Sequence, residues 1–249
     1  MYFMQNIFDK LTADIKKKNS VVCVGLDPMK SDSAQAALEF SKKIIDATHD
    51  VAVAFKPQMA FYERFGAAGW TAFKETIAYI HSKNVLAIDD SKRGDIGSTS
   101  EAYAKAHFEE LDADFVTVNP YLGSDGVKPF LNYKNKGVFV LCRTSNPSAK
   151  ELQDNIYMKV AQLINEWGCG AVVGATYPEE AKKLRAAMPT SWWLVPGYGA
   201  QGGTAENVRA CFNSAGLGAI ISSSRDIIYA PDPRKAAETM RDQINAVRF

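Results

Sequence analysis

The stretch Leu86-Ala-Ile-Asp-Asp-Ser-Lys-Arg-Gly-Asp-Ile-Gly-Ser-Thr-Ser100 joins an apolar strand pattern to a dense group of charges. Five charged residues fall within seven positions: Asp89, Asp90, Lys92, Arg93 and Asp95. If the strand continues to Lys92, alternation places Asp90 and Lys92 on one face, and Gly94 lets the chain turn and offer Asp95 nearby. A solvated loop of mixed charge is the alternative. We interpret the group as a cluster at the end of a buried strand.

Short strand patterns alternate with longer helical patterns along the rest of the chain. The predicted strands are 20–25, 51–55, 85–90, 114–118, 137–141, 170–174, 192–195 and 219–222. The predicted helices are 33–48, 69–81, 99–111, 151–167, 179–187, 204–214 and 232–247. Pro129 predicts that any helix within 121–134 is short or interrupted. An amphipathic segment around Leu11 predicts an extra N-terminal helix that caps one end of the sheet.

Eight strands that alternate with helices predict an α/β fold, a (β/α)8 TIM barrel with an extra N-terminal helix. A doubly wound sheet is the weaker alternative, because it calls for a glycine-rich turn after the first strand. This chain has Gly25-Leu26-Asp27-Pro28 there. No linker, composition shift or repeat is visible, so residues 1–249 are expected to form one domain.

Composition and charge limit the classes of partner. The chain is 47% hydrophobic and carries a net charge of +1, so it has no global field to recruit nucleic acid or a membrane surface. No apolar run approaches 18 residues and no leader pattern is present, which predicts a cytoplasmic protein. Four scattered cysteines without paired spacing are expected to be reduced core residues, and no metal-ligand spacing is found.

Polar residues follow most of the predicted strands, where a barrel carries its active site. They are Asp27, Lys56, Asp90, Lys92, Asp95, Asn119, Arg143, Thr144, Ser145 and Asn146. Lys56 with Asp90, Lys92 and Asp95 would form an alternating array of charges that stays ionised, because each carboxylate has an ammonium beside it. The three histidines lie in or beside helical patterns, which makes them packing or surface residues rather than bases. Lys92 is therefore the best-placed proton donor.

The segments after the seventh and eighth strands predict a phosphate site. Pro-Gly-Tyr-Gly-Ala-Gln-Gly-Gly runs from Pro196 to Gly203, and Ser-Ser-Arg ends at Arg225. Glycines let backbone amides approach an oxyanion, and an arginine donates a two-pronged contact. A surface loop with an ordinary salt-bridging arginine is the alternative for either segment alone. Their occurrence at the two strand ends that hold phosphate in many barrels favours the phosphate site.

These residues give the sequence a resemblance, over nearly its whole length, to the orotidine 5'-monophosphate decarboxylase family, in its longer bacterial branch. The resemblance rests on Val-Gly-Leu-Asp-Pro to Pro28, Phe-Lys-Pro-Gln from Phe55, Asp-Ser-Lys-Arg-Gly-Asp-Ile-Gly from Asp90 and Thr-Val-Asn-Pro-Tyr from Thr117. It continues in Thr-Ser-Asn-Pro from Thr144 and in the two phosphate segments.

The resemblance implies decarboxylation of orotidine 5'-monophosphate to UMP in pyrimidine biosynthesis, without metal or organic cofactor. It implies a catalytic set of Lys56, Asp90, Lys92 and Asp95, with Lys92 as proton donor. It also implies a homodimer whose sites are shared, in which Asp95, Ile96 and Thr99 serve the partner. The substrate contacts it implies are Asp27, Ser145, Pro196, Gln201, Gly202, Ser224 and Arg225.

Two other functions compete with this interpretation. One is a metal-dependent phosphosugar decarboxylase, which would need a further carboxylate near the end of the second strand, where this chain has Lys56 and only later Glu63. The other is a non-catalytic barrel that only binds nucleotide phosphate, which would have no use for four clustered charges. Asn146 and the Phe-Lys-Pro-Gln segment depart from the pattern of shorter family members, which leaves the base contacts open.

Overall fold

The computed structural model describes residues 6–199 and 202–249. Eight parallel strands close into a barrel in the order β1-β2-β3-β4-β5-β6-β7-β8. The strands are β1 Val22–Leu26, β2 Ala54–Pro57, β3 Leu86–Arg93, β4 Phe115–Val118, β5 Gly137–Arg143, β6 Gly170–Val173, β7 Trp193–Pro196 and β8 Ala219–Ser223. The predicted (β/α)8 barrel is confirmed, and most strand boundaries move by only one to three residues.

Helices surround the barrel. They are α1 Ile7–Lys18, α2 Ala34–Thr48, α3 Ala60–Glu63, α4 Gly66–Ser82, α5 Gly97–Lys105, α6 Ser124–Leu131, α7 Gln153–Trp167, α8 Pro178–Ala187, α9 Ala205–Arg209, α10 Arg225–Ile228 and α11 Pro233–Asn245. A π-helical turn, Ala106–Glu110, extends α5, and a 3-10 turn, Pro147–Glu151, precedes α7. The predicted helix 204–214 is much shorter than expected, because α9 ends at Arg209.

The extra N-terminal helix closes the amino end of the barrel, as the sequence predicts. Phe8 of α1 packs its ring against Phe115, Phe139 and Trp192, with ring centroids 5.4, 6.1 and 6.3 Å apart. Leu11 and Ile15 of the same helix are fully buried. This apolar cap leaves the carboxyl ends of the strands as the open mouth of the barrel.

A continuous apolar core fills the barrel and the layer beneath the helices. All four cysteines are free and buried in the apolar core, which confirms the prediction that they are core residues. Burial raises the pKa of the Cys23 thiol to about 12, so it stays protonated at neutral pH. In the part of the chain that the structure describes, no helix is both long and apolar enough to span a bilayer.

Candidate active site

Strand β3 is irregular where its charges begin. Asp89 pairs in register with Val116 of β4 and Arg93 with Val118, so four steps along β3 match only two along β4. The extra residues form a bulge that contains Asp90 and Lys92. Lys92 adopts a left-handed backbone conformation with φ of 50°, which is uncommon for a residue with a side chain. The strand therefore continues to Arg93, but not with the regular alternation that the sequence predicts.

The bulge places Asp90 at the centre of a hydrogen-bonded charge array. Its Oδ2 accepts from Lys56 Nζ at 3.0 Å and from Gln58 Nε2 at 2.9 Å. Its Oδ1 accepts from Lys92 Nζ at 2.6 Å and from Thr117 Oγ1 at 3.0 Å. Asp90 and Lys56 are buried, whereas the side chain of Lys92 is 42% exposed toward the mouth of the barrel. The array therefore presents the accessible Lys92 ammonium beside the buried Lys56–Asp90 ion pair.

The electrostatics keep both buried groups ionised. Burial by itself raises the pKa of Asp90, but the ammonium groups of Lys56 and Lys92 outweigh it and hold this pKa well below its usual range. Burial alone would likewise lower the pKa of Lys56, but the charges of Asp90 and Asp27 raise it above its ordinary value. Both groups are therefore charged throughout the neutral pH range.

Two residues of this array were not assigned a role from the sequence. Gln58 lies two positions after Lys56, and Thr117 donates to Asp90 while its hydroxyl accepts from the Lys92 amide at 2.9 Å. Both fall inside the quoted segments Phe-Lys-Pro-Gln and Thr-Val-Asn-Pro-Tyr. The period-two spacing of Lys56 and Gln58 is the signal that would have found Gln58.

A cleft of about 570 Å3 opens beside the array. Its charged and polar side is formed by Asp27, Lys56, Gln58, Asp90 and Lys92. Its apolar wall comes from Leu141, Val172 and Leu194, on three successive strands. Thr144, Ser145, Asn146 and Pro147 form the rim. The cleft thus joins an apolar wall to a charged side, which suits a ring that has both apolar faces and polar edges.

Local contacts fix the loops that border the cleft. Gln153 accepts a hydrogen bond from the Thr144 amide at 2.8 Å and donates to the Thr144 hydroxyl at 2.8 Å, which holds the loop that carries Ser145. Arg64 donates to the carbonyls of Pro28 and Ser31 and so fixes the loop after Asp27. These side chains give the cleft a preformed shape.

A smaller pocket of about 90 Å3 adjoins the cleft and shares Asp27, Lys56 and Pro196 with it. Its other lining residues are Gly197, Tyr198, Ser222, Ser223, Ser224 and Arg225. Within the described residues Arg225 has no ion-pair partner, and the buried Ser224 hydroxyl and Asp27 Oδ1 have no hydrogen-bond partner. Hydrogen-bond donors and acceptors in this pocket therefore remain available to a ligand.

The loop above this pocket is closed at its base by a bridge between Tyr198 and Gly203. Gly202 is exposed and has a φ of 90°, a conformation that glycine adopts without strain. Gln201, which the sequence predicts as a phosphate contact, lies outside the described residues.

Three predicted site residues do not line the cleft. Asp95, Ile96 and Thr99 lie on the loop after β3 and the start of α5, where Asp95 Oδ1 accepts from the Ile96 amide at 2.8 Å. Ile96 is 53% exposed. The Lys56, Asp90 and Lys92 side chains thus meet within one chain, whereas Asp95 does not line the cleft that they border.

Two other strand-end residues do not line the cleft either. Arg143 is buried on the helix side of β5, where it pairs with Asp154 at 2.7 Å and with Glu180 at 2.6 Å. Asn119 accepts from the Tyr121 amide at 3.0 Å and so forms a turn after β4. They tie elements together around the cleft and do not line it.

A larger cavity of about 1140 Å3 lies against α9, α10 and α11. It contains none of Lys56, Asp90 and Lys92, so it does not compete as the catalytic site.

Comparison with known proteins places this arrangement in a family. A model of the orotidine 5'-phosphate decarboxylase / HUMPS family matches residues 20–240. Orotidine 5'-phosphate decarboxylase of Clostridium perfringens strain 13 is 43% identical, over 96% of this chain and 98% of its own.

Solved structures agree with this assignment. The OMP decarboxylase of Leishmania donovani has a TM-score of 0.90 and 40% identity, over 98% of this chain and 99% of its own. UMP synthase of the same organism has a TM-score of 0.94 and 42% identity, but this chain spans only 57% of that longer protein. The barrel, the charge array in its mouth and these relatives together show that the chain belongs to the orotidine 5'-phosphate decarboxylase / HUMPS family.

Proposed function

We propose that this chain decarboxylates orotidine 5'-monophosphate to UMP and carbon dioxide, in pyrimidine biosynthesis, without metal or organic cofactor. The observation that carries the proposal is the Lys56–Asp90–Lys92 array, hydrogen-bonded at the edge of a cleft that an anion pocket adjoins. The activity that the relatives' names print is the same reaction.

The two pockets divide the substrate between them. The pyrimidine ring lies in the cleft against Leu141, Val172 and Leu194, with Ser145 at its polar edge. The ribose hydroxyls reach Asp27 and Lys56, which border both pockets. The 5'-phosphate enters the smaller pocket beside Pro196, where Arg225 donates a charge-assisted contact, with Ser224, Gln201 and Gly202 completing the grip.

The charge array matches the chemistry of this reaction. Loss of carbon dioxide leaves an electron pair on an sp2 carbon, and the Lys92 ammonium stabilises that developing charge and then donates its proton to it. Asp90, fixed by four donors, holds the Lys92 ammonium in position and lies beside the departing carboxylate. The proton passes from Lys92 Nζ to the ring carbon, and the electron pair of the broken bond becomes the new C–H bond.

The active sites are shared within a homodimer. Asp95 would complete the partner's charge array, and Ile96 and Thr99 would contact the partner's substrate. The support is that Asp95 does not line its own cleft, and that apolar side chains on the loops around it are exposed. Ile96, Tyr121 and Leu122 are 53%, 74% and 46% exposed on neighbouring loops, a group that association with a second copy would cover.

The metal-dependent rival receives less support from the side chains present. Glu63 pairs with Arg93 and does not line the cleft. Across residues 6–199 and 202–249, no three His, Cys, Asp or Glu side chains are grouped closely enough to hold a metal ion.

The direct experiment follows the absorbance change of orotidine 5'-monophosphate with purified protein that has been treated with a chelator and dialysed. Turnover that survives this treatment supports the proposal. Activity that is lost and then restored by a divalent cation would favour the metal-dependent rival. Binding of UMP without any turnover would favour the non-catalytic barrel.

Lys92→Ala tests the role of the proton donor. We expect kcat to fall by about 10³-fold or more, because the variant loses both the proton donor and the charge that stabilises the carbanion. UMP binding should remain measurable by calorimetry. Lys182→Ala is the matched control, since Lys182 is an exposed lysine that pairs with Glu179 on the outer helix α8. A Lys92→Ala enzyme as fast as this control would sink the mechanism.

A further inference from the structure

A second, buried network lies on the opposite face of the bulge in β3. His107 Nδ1 lies 2.5 Å from Asp89 Oδ2, and Arg93 Nε donates to His107 Nε2 at 3.0 Å. His107 and Asp89 are buried, so water does not compete for these contacts. One imidazole thus contacts the side chains of the two residues that bracket Asp90 and Lys92.

The hydrogen-bond partners of His107 determine which of its ring nitrogens carries a proton. An arginine Nε–H can only donate, so His107 Nε2 must accept and carries no proton. The single ring proton is then on Nδ1, which donates to the Asp89 carboxylate. His107 is therefore neutral, with a carboxylate on one side and a guanidinium on the other.

The surroundings hold the ring and the guanidinium rigidly. Trp70 of α4 and Tyr103 of α5 pack on His107, with ring centroids 6.1 and 6.4 Å away. The Arg93 guanidinium lies 5.5 Å from the centre of the Tyr103 ring and pairs with Glu63. His107 itself lies in the π-helical turn Ala106–Glu110, a type of distortion that is frequent at functional sites.

We propose that His107 is a positioning residue for catalysis, which links Asp89 to Arg93 and thereby holds the bulge that aims the Lys92 ammonium at the substrate. The inference rests on the proposed decarboxylation. The uncommon backbone conformation of Lys92 needs support from both sides. Thr117 supplies it on the inner face through the Lys92 amide, and the Asp89–His107–Arg93 network supplies it on the outer face.

Two substitutions at His107 remove different sets of its contacts. His107→Asn keeps a short donor toward Asp89 but cannot reach Arg93, and His107→Phe keeps the aromatic packing but loses both contacts. We expect kcat to fall by about tenfold in His107→Asn and by about 10²-fold in His107→Phe, since displacement of a reacting group by about 1 Å has effects of that size. UMP affinity should change by less than about threefold, because the substrate pockets are not touched.

His81 offers a matched control at the other end of the barrel. Its Nε2 lies 2.9 Å from Asp114 Oδ2, and the same carboxylate oxygen accepts from the Ala87 amide of β3 at 2.8 Å. His81→Asn and His81→Phe therefore break an equivalent histidine–aspartate contact to β3 far from the bulge. They should lower the thermal midpoint without lowering kcat.

Three further measurements keep the proposal distinct from a folding defect and from the proposed function. Arg93→Met leaves the histidine–aspartate contact intact and should lose kcat as His107→Asn does. Nitrogen NMR of the wild type should show His107 protonated at Nδ1 only; an Nε2–H tautomer or an imidazolium overturns the proposal even if the His107 variants do not fold. If the wild type turns over and the His107 variants match the His81 variants in kcat, this inference alone is overturned. If the wild type does not turn over, the proposed function is overturned.

Discussion

Asp90 illustrates how a carboxylate remains ionised inside a barrel. Its two oxygens accept hydrogen bonds from two ammonium groups, an amide and a hydroxyl, which replace the water that burial removes. The same contacts fix the carboxylate and hold the Lys92 ammonium at 2.6 Å. At the scale of single residues, the charge to which the proposed mechanism assigns the reaction is also the charge that fixes the site.

This balance can be tested with Lys56→Met. The variant removes one of the two charges that oppose burial, so we expect the pKa of Asp90 to rise. In the wild type the folded-state pKa lies below the unfolded value of about 3.9, so ionised Asp90 stabilises the fold above about pH 4. That stabilisation is lost as the pH falls from the unfolded pKa through the folded pKa, so in Lys56→Met it should be smaller and its loss should be complete at a higher pH.

Carbon NMR of labelled aspartate carboxyls, together with acid unfolding, measures both effects. Lys182→Met serves as the control for removal of a lysine charge, because Lys182 lies on an outer helix. An Asp90 titration that is unchanged in Lys56→Met would contradict the assigned cause of the lowered pKa.

At the scale of elements, the junction between β1 and β8 joins the proposed ribose contact, Asp27, to the proposed phosphate contact, Arg225. Val24 pairs with Ser223, and an added Cβ at Gly25 would lie 2.8 Å from Ser224 Cβ and 3.4 Å from its Cα. Glycine at this position therefore lets the end of β8 approach β1 closely. The position of Arg225 therefore depends on the absence of a side chain at Gly25, on the neighbouring strand β1.

We therefore expect Gly25→Ala to displace Ser224 and Arg225 and to weaken phosphate binding. KM for the nucleotide should rise by about tenfold, which corresponds to about 1.4 kcal/mol, whereas affinity for the nucleoside without phosphate should change little. Gly137→Ala is the control, because its Cβ would crowd Phe115 at the closed end of the barrel. It should lower stability and leave KM unchanged. Equal effects of both variants on KM would refute the role of this junction.

At the scale of the whole molecule, the exposed side chains of Ile96, Tyr121 and Leu122 and the absence of Asp95 from the lining of its own cleft predict that sites form between two chains. Lys92→Ala and Asp95→Asn should each be inactive alone. In a hybrid dimer of the two, one site receives both substitutions and the other receives neither. A 1:1 mixture that exchanges subunits at random should regain about a quarter of wild-type activity.

Subunit exchange is measured in parallel with fluorescently labelled chains. Exchange without any recovered activity would show that Lys92 and Asp95 do not serve a common site formed by two chains. Recovery of activity before the subunits can exchange would point to contamination with wild-type enzyme. A separately prepared pair of Lys92→Ala and Asp95→Ala proteins would reveal such contamination.

The sequence by itself determined the fold. The alternation of short apolar runs with amphipathic segments leaves a closed parallel barrel as the natural arrangement, since each strand must be covered on its outer face. The polar residues that follow the apolar runs then necessarily share one end of the barrel. Asp27, Lys56, Asp90, Lys92, Ser145, Pro196, Ser224 and Arg225 could all be chosen on that ground, and each lines one of the two adjoining pockets.

Only the tertiary structure decided which strand-end side chains face the cleft. Arg143 lies at the carboxyl end of a strand as Lys92 does, yet it turns outward because Asp154 and Glu180 meet it there. The meeting of Asp90 and Lys92 depends on a bulge against β4 and on a left-handed residue, and no periodic pattern encodes either feature. Gln58, Thr117 and His107 come from other segments of the chain, and they contact the side chains of β3 only because the fold packs those segments against it. Periodicity is a local property and predicts the elements, whereas the direction of a buried charge is set by partners that are distant in sequence.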